Sequence, residues 1–174
     1  MDSFASFNSD DAGEIAVEIA LNHSVINASR PSDTRFPPKQ FSFEPNIVCL
    51  TLIPGLSSQV LISLIDTGCK GIIVRSYGSG DIPQDLFPAL SYAKEKKVPV
   101  VNTTQCRGST LMGMNEVGRL ALDFGVIQAF DMSMESMSTK LMWLIGQEYG
   151  YEEIARLMQV NLVGEIDSEK YSGA

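Results

Sequence analysis

Histidine is almost missing from this 174-residue sequence, in which His23 is the single copy. One imidazole excludes a zinc centre built on several histidines, and it leaves no Ser-His-Asp arrangement in the strand-and-loop region that follows. Cysteine is equally sparse. Cys49, Cys69 and Cys106 form no closely spaced pair, so no disulfide framework is written here and reduced intracellular thiols are expected. No apolar run approaches the roughly 20 residues of a membrane span. The opening MDSFASFNSDDAGE is acidic where a secretory leader is basic and then apolar. Basic charge is short as well: 13 Lys and Arg stand against 21 Asp and Glu, a net charge of −8. No basic stripe remains to neutralise phosphates. These absences predict a cytoplasmic protein that engages neither nucleic acid nor a membrane, and they name no metal and no cofactor. In that compartment the Asn-x-Ser/Thr triplets at Asn22, Asn27 and Asn102 stay unmodified.

What is present is ordinary globular material, 44% apolar and 20% charged, long enough for one domain with a proper core. The chain is organised around GIIVRSYGSGDIPQ, Gly71 to Gln84. Gly71-Ile72-Ile73-Val74 has no polar member and reads as a strand buried on both faces. At its carboxyl end the residues become chemical. Arg75 carries a rigid fork of donors suited to a carboxylate, Tyr77 a hydroxyl, and Gly78 and Gly80 a backbone free to take positive φ. Ligands of open α/β sheets bind at the carboxyl ends of strands, so Arg75 to Asp81 is the first place to look for a site.

Residues 1–45 read as an amino-terminal strand and linker: apolar alternation over Glu14–Leu21, then a proline-rich stretch without period. From Asn46 to residue 166 a strand-turn-helix grammar repeats. Ile47–Leu52 is the first core strand, and Ser57 or Ser58 caps a helix that Gly68 closes. After the organising strand, Asp81-Ile82-Pro83 gives an acidic residue and a proline where a helix start wants both. Val98–Asn102 forms a third strand ending in the polar cluster Thr103–Gly108. A short helix over Glu116–Phe124, a short strand at Val126-Ile127, a helix capped at Asp131–Ser133 and a last helix over Glu152–Asn161 follow, before a polar, frayed tail that includes 167–174. Strands separated by helices imply an α/β fold, a parallel sheet flanked by helices in three layers, of Rossmann-like or flavodoxin-like type.

Several motifs have blander readings. Gly78-Ser79-Gly80 lacks the third glycine of a dinucleotide fingerprint, Pro83 standing in its place, and no acidic residue ends the next strand. Asp66-Thr67-Gly68 imitates an aspartic-protease triplet, but it sits at a helix end with no second copy. Arg75 must be paired, either with a ligand carboxylate or with an internal acid, and the residues alone leave both open. Cys106 has no nearby base, which favours a small packed thiol. Lys140 lies on the helix face of Met137, Leu141 and Leu144 and is expected to be structural.

Leu52–Gly55, Arg75–Gln84 and Val101–Cys106 together resemble the cytoplasmic (type I) bacterial-type L-asparaginases, in their smaller carboxyl-terminal domain. Gly125–Ile127, Asp131–Glu135, Lys140-Leu141 and Asn161–Glu165 continue the resemblance in order. It extends to the counterpart domain of the asparaginase-like subunit of archaeal glutamyl-tRNA amidotransferase and to eukaryotic asparaginase/lysophospholipase-type proteins. Members of this family hydrolyse L-asparagine to L-aspartate and ammonia, with the threonine nucleophile in a larger amino-terminal domain. The resemblance therefore implies no catalytic residue among these positions and no amidohydrolase activity of this chain alone. It also implies homo-oligomers, dimers or tetramers, in which a loop of this domain reaches a neighbouring active site at the position of Asp81, where the family usually has asparagine. Effector binding of L-asparagine is implied at Arg75, Thr104, Gln105 and Cys106. A tyrosine common in the family's glycine-rich loop is replaced by Asn115. The alternative is a non-catalytic amino-acid-binding regulatory module, or an assembly subunit for a separate amidohydrolase chain.

Overall fold

The computed structural model describes residues 42–106, 110–114 and 116–166. The expected strand at Glu14–Leu21, the linker before Ser42, Arg107 and Gly108 of the polar cluster, Asn115 and the tail from residue 167 lie outside the described residues.

Four parallel strands lie side by side in chain order: β1 (Ile47–Thr51), β2 (Gly71–Ser76), β3 (Val100–Thr104) and β4 (Val126–Gln128). They are joined by α1 (Ser58–Asp66), α2 (Phe87–Glu95) and α3 (Glu116–Asp123), and α4 (Met134–Gly146) and α5 (Tyr151–Met158) follow the last strand. When strands are added in one direction with crossovers of one hand, every connecting helix falls on the same face. The packing agrees. Ile72, Val74, Val100 and Val126 point into a core with Leu61 and Ile65 of α1, Leu90 and Ala93 of α2 and Ala121 of α3. Ile73, Val101 and Ile127, one residue out of phase, pack on Met137, Leu141 and Leu144 of α4 and Ile154 and Leu157 of α5. The sheet is thus the middle of three layers, as expected, and β2 has four consecutive buried residues because it has a helix layer on each side.

Several boundaries move, and three of the shifts bear on the site or its surroundings. β3 runs to Thr104, two residues beyond the expected end. Pro99, which has no N–H, precedes it and lends its carbonyl to Ile72, and the register then sets Thr103 beside Arg75 and Thr104 beside Ser76. Asp81-Ile82-Pro83 does not start a helix. Asp81 bridges back to Tyr77, donating to its carbonyl at 2.8 Å, and the chain passes through a single 3-10 turn at Gln84–Leu86 before α2 begins at Phe87. The proline that fits the first turn of that helix is Pro88, not Pro83. α5 ends at Met158 rather than Asn161.

That early end has an electrostatic cause. Lys140 of α4, expected to be structural, is buried and donates to the carbonyls of Met158 at 3.2 Å and Val160 at 2.6 Å, groups a longer helix would have used. Its third partner is Glu165 Oε1 at 2.6 Å. Glu165 in turn accepts the N–H groups of Leu162 at 3.0 Å and Val163 at 2.7 Å, and Asn161 closes the same loop by accepting Gly164 N at 2.7 Å and donating to Ile166 O at 2.6 Å. Residues 159–166 are therefore locked rather than frayed. Burial disfavours both charges. At Lys140 it outweighs the pairing and lowers the pKa, whereas at Glu165 burial is overcome by the Lys140 charge and the two backbone donors, which hold the carboxylate below its ordinary value.

The last residues of the linker are docked on α4. Glu44 N donates to Met142 O at 2.9 Å and Gln147 Nε2 to Ser42 O at 3.1 Å. Gly146 makes the approach possible, since a Cβ there would lie 2.5 Å from Ser42 O and 2.7 Å from Phe43 Cα.

Two outcomes follow from these contacts. Glu165→Gln leaves a buried ammonium uncompensated and is expected to cost about 3–5 kcal/mol in denaturant unfolding. Because the folded-state pKa of Glu165 is lowered, its contribution is present above the unfolded value of about 4.3 and is lost as pH falls through the lower folded value. The acid limb of a melting-temperature profile should therefore flatten in the variant. Gly146→Ala is expected to displace the docked linker at a cost of about 1–3 kcal/mol, read as faster proteolysis within residues 42–46 before any loss of the core.

Candidate functional site

The carboxyl ends of the strands carry two groups of polar residues, on opposite faces of the sheet. On the face of α1–α3, β2 runs out into the turn Tyr77–Asp81. Tyr77 O accepts the N–H groups of Gly80 at 2.9 Å and Asp81 at 2.8 Å, and Tyr77 N donates to Asp81 O at 3.2 Å. Gly78 and Gly80 take φ of +50° and +123°, as the sequence requires of them. Gly80 needs more than its φ: a Cβ there would sit 2.9 Å from Met112 Cγ and 3.2 Å from Asn102 Nδ2. Thr104 Oγ1 donates to Gly78 O at 2.6 Å and accepts Cys106 N at 2.9 Å, so this buried hydroxyl ties the turn to the segment after β3.

Arg75 leaves the sheet on the other face, that of Ile73 and α4, because side chains alternate along a strand. The register places Thr51 of β1 and Thr103 of β3 on either side of it. Cys49 lies one pleat below Thr51, and its Sγ is 3.7 Å from Met134 Sδ, the first residue of α4. Burial pushes the Cys49 thiol up, and the Arg75 charge pulls it partly back. The guanidinium and the positive end of α4 therefore share one corner, an arrangement that favours an anion. Among the described residues, no carboxylate forms an ion pair with Arg75. Of the two partners the sequence left open, an internal acid is not supplied by any described residue.

Gln105 braces the edge: its Nε2 donates to Leu52 O at 2.8 Å and to Arg75 O at 3.0 Å, joining the ends of β1 and β2. Cys106 is a free, exposed thiol and not the packed one expected, because β3 has already left the core when the chain reaches it. The five candidate residues thus share the carboxyl edge, but Thr104 and Arg75 face opposite ways and the Thr104 hydroxyl and Gln105 amide hold backbone. Thr51, Thr103 and Asn102 were not legible as site residues, since only the inter-strand register shows what stands beside Arg75 and beneath the turn. A groove of about 420 Å³ between the β1–α1 loop and the β2–α2 loop, lined by Leu52, Pro54, Ser57, Tyr77 and Asp85, lies on the same edge. Among the described residues, no group of three or more His, Cys, Asp or Glu could hold a metal ion. No helix among them is long and apolar enough to cross a membrane.

Residues 46–158 match the family described as Glutaminase/Asparaginase C-terminal domain. An L-asparaginase of Thermococcus kodakarensis is 42% identical over 127 residues, which cover 71% of this chain and 38% of that protein. A glutamyl-tRNA(Gln) amidotransferase subunit of Pyrococcus abyssi is 36% identical over 124 residues, 71% of this chain and 28% of the relative. Two solved structures superpose: the thermostable L-asparaginase of Thermococcus kodakarensis (TM-score 0.68, 41% identity, covering 72% of this chain and 39% of that one) and L-asparaginase I of Vibrio cholerae (TM-score 0.65, 36% identity, covering 70% and 37%). The chain thus spans less than two fifths of the length of each of these relatives. The sheet order, the glycine turn after β2 and the matched span together make this chain a member of the glutaminase/asparaginase carboxyl-terminal domain family.

Proposed function

We propose that this chain is the carboxyl-terminal domain of a cytoplasmic, type I L-asparaginase, and that it contributes assembly, closure of a neighbouring active site and binding of L-asparagine or L-aspartate. Hydrolysis of the amide requires a catalytic domain beside it. The observation that carries this reading is Arg75: a guanidinium at the carboxyl edge, flanked by two threonines and the start of α4, with no described carboxylate paired to it. An α-carboxylate is a fitting partner for that fork. Cys106 offers an exposed thiol at the same edge, while Thr104 and Gln105 hold backbone there. Asp81, at the end of the turn, is the side chain presented to a neighbouring protomer.

Sheet topology supports the need for a neighbour. Ligands of open α/β sheets lie where successive crossovers part to opposite faces, and a sheet in order β1-β2-β3-β4 has no such parting. The edge is a rim of loops that a second body must close. The similarity to an amidotransferase subunit favours a second reading, in which the chain serves a separately encoded amidohydrolase in assembly or regulation.

Calorimetric titration of the purified chain with L-asparagine and with L-aspartate tests the first reading. Saturable heat in the millimolar range or below, lost at least tenfold in Arg75→Ala, is the expected result. Heat unaffected by Arg75→Ala would remove Arg75 from the site. Asparagine-dependent ammonia release by the chain alone would overturn its dependence on a catalytic domain.

A further inference from the structure

We propose that Asn102 is a positioning residue that sets the Tyr77–Asp81 turn, and with it the placement of Asp81, before any ligand or partner arrives. The turn has three successive carbonyls, and each receives one donor from another part of the chain. Thr104 Oγ1 donates to Gly78 O at 2.6 Å, Leu111 N to Ser79 O at 2.8 Å and Asn102 Nδ2 to Gly80 O at 2.8 Å. Only the Asn102 contact comes from a side chain that is fully buried.

Packing alone does not account for an amide at this position. Asn102 sits in β3 between Val74 and Gln128, in the layer where Ile72, Val100 and Val126 are aliphatic one pleat earlier. Among the described residues its buried Oδ1 has no hydrogen-bond partner. An aliphatic residue of similar volume would leave no desolvated acceptor, so the retained amide is explained by its other half, the donor on Gly80 O. Gly80 answers it, since its positive φ and missing Cβ let the turn come down onto Asn102 Nδ2. Gln128, beside Asn102 on the next strand, holds the neighbouring loop in the same way, accepting Met112 N at 3.0 Å. Strand side chains therefore fix the backbone of two of the loops at this edge. The turn is a preformed element and not one ordered by its ligand.

Amide hydrogen exchange followed by NMR on the 174-residue chain tests this with Asn102→Leu, which keeps volume and removes the donor. Protection of the Gly80, Asp81 and Leu111 amides should fall about tenfold, while the Ile72 amide and the melting temperature are maintained. Thr104→Val should act on the same amides, and Thr104→Ser should restore them. Unchanged turn amides in Asn102→Leu would overturn the proposal, and so would an equal loss at Ile72, which marks a merely structural role. A last arm rests on the ligand-binding reading of the edge: where the parent chain binds L-asparagine, Asn102→Leu should weaken that binding, and undiminished affinity would sever the turn from the site. Should the parent chain bind no asparagine, that earlier reading fails while the exchange result still decides this one.

Discussion

The parallel pairing of β2 between β1 and β3, under a helix layer on each face, is the constraint from which the rest of this domain follows. A strand enclosed on four sides can carry only apolar residues, and Gly71 to Val74 comply. Arg75 and Ser76 still belong to the ladder, but only the Arg75 side chain reaches the rim, while Ser76 stays buried and donates to Thr103 O at 3.1 Å. Arg75 is therefore not grafted on a loop; it stands on the last pleat of the sheet, aimed by the same backbone hydrogen bonds that hold the core. Rigid elements place functional groups more precisely than loops do.

The two faces of that last pleat have different tasks. On the α4 side Arg75 stands among hydroxyls and a helix amino terminus, a setting for an anion. On the other side Asn102, Thr104 and Gln128 are turned inward to hold backbone. Buried polar groups of this kind stabilise little unless each is paired, and they specify geometry more than they add stability. Lys140 and Glu165 do the same at the far end of the chain, where an ion pair and backbone donors fold residues 159–166 into a fixed loop instead of a further helical turn.

The fold was legible because apolar runs, glycines and helix caps gave one answer together: four strands, intervening helices, Ser57 and Gly68 at the ends of α1. Boundaries failed where tertiary pairing overrode local signals. Pro83 looked like a helix start, yet the bridge between Tyr77 and Asp81 had already claimed the preceding backbone. Thr103 and Thr104 looked like loop, although β-branched residues extend a strand readily once a partner is in register. Arg75 was visible from its place after an apolar run, but Thr51 and Thr103 were not, because register is a property of two strands and no single segment encodes it. The exposure of Cys106 is hidden in the sequence for the same reason, since it depends on where β3 leaves the sheet.

The linker docked on α4 limits how a larger assembly can be wired. Ser42 and Phe43 lie at Gly146 and Gln147, the end of α4 farthest from Met134 and hence from the rim that carries Arg75. The chain then climbs the whole of β1, roughly 17 Å, before it reaches that rim. Residues 1–41 are thus joined to this domain at the base of the sheet, at the end opposite the rim that carries Arg75.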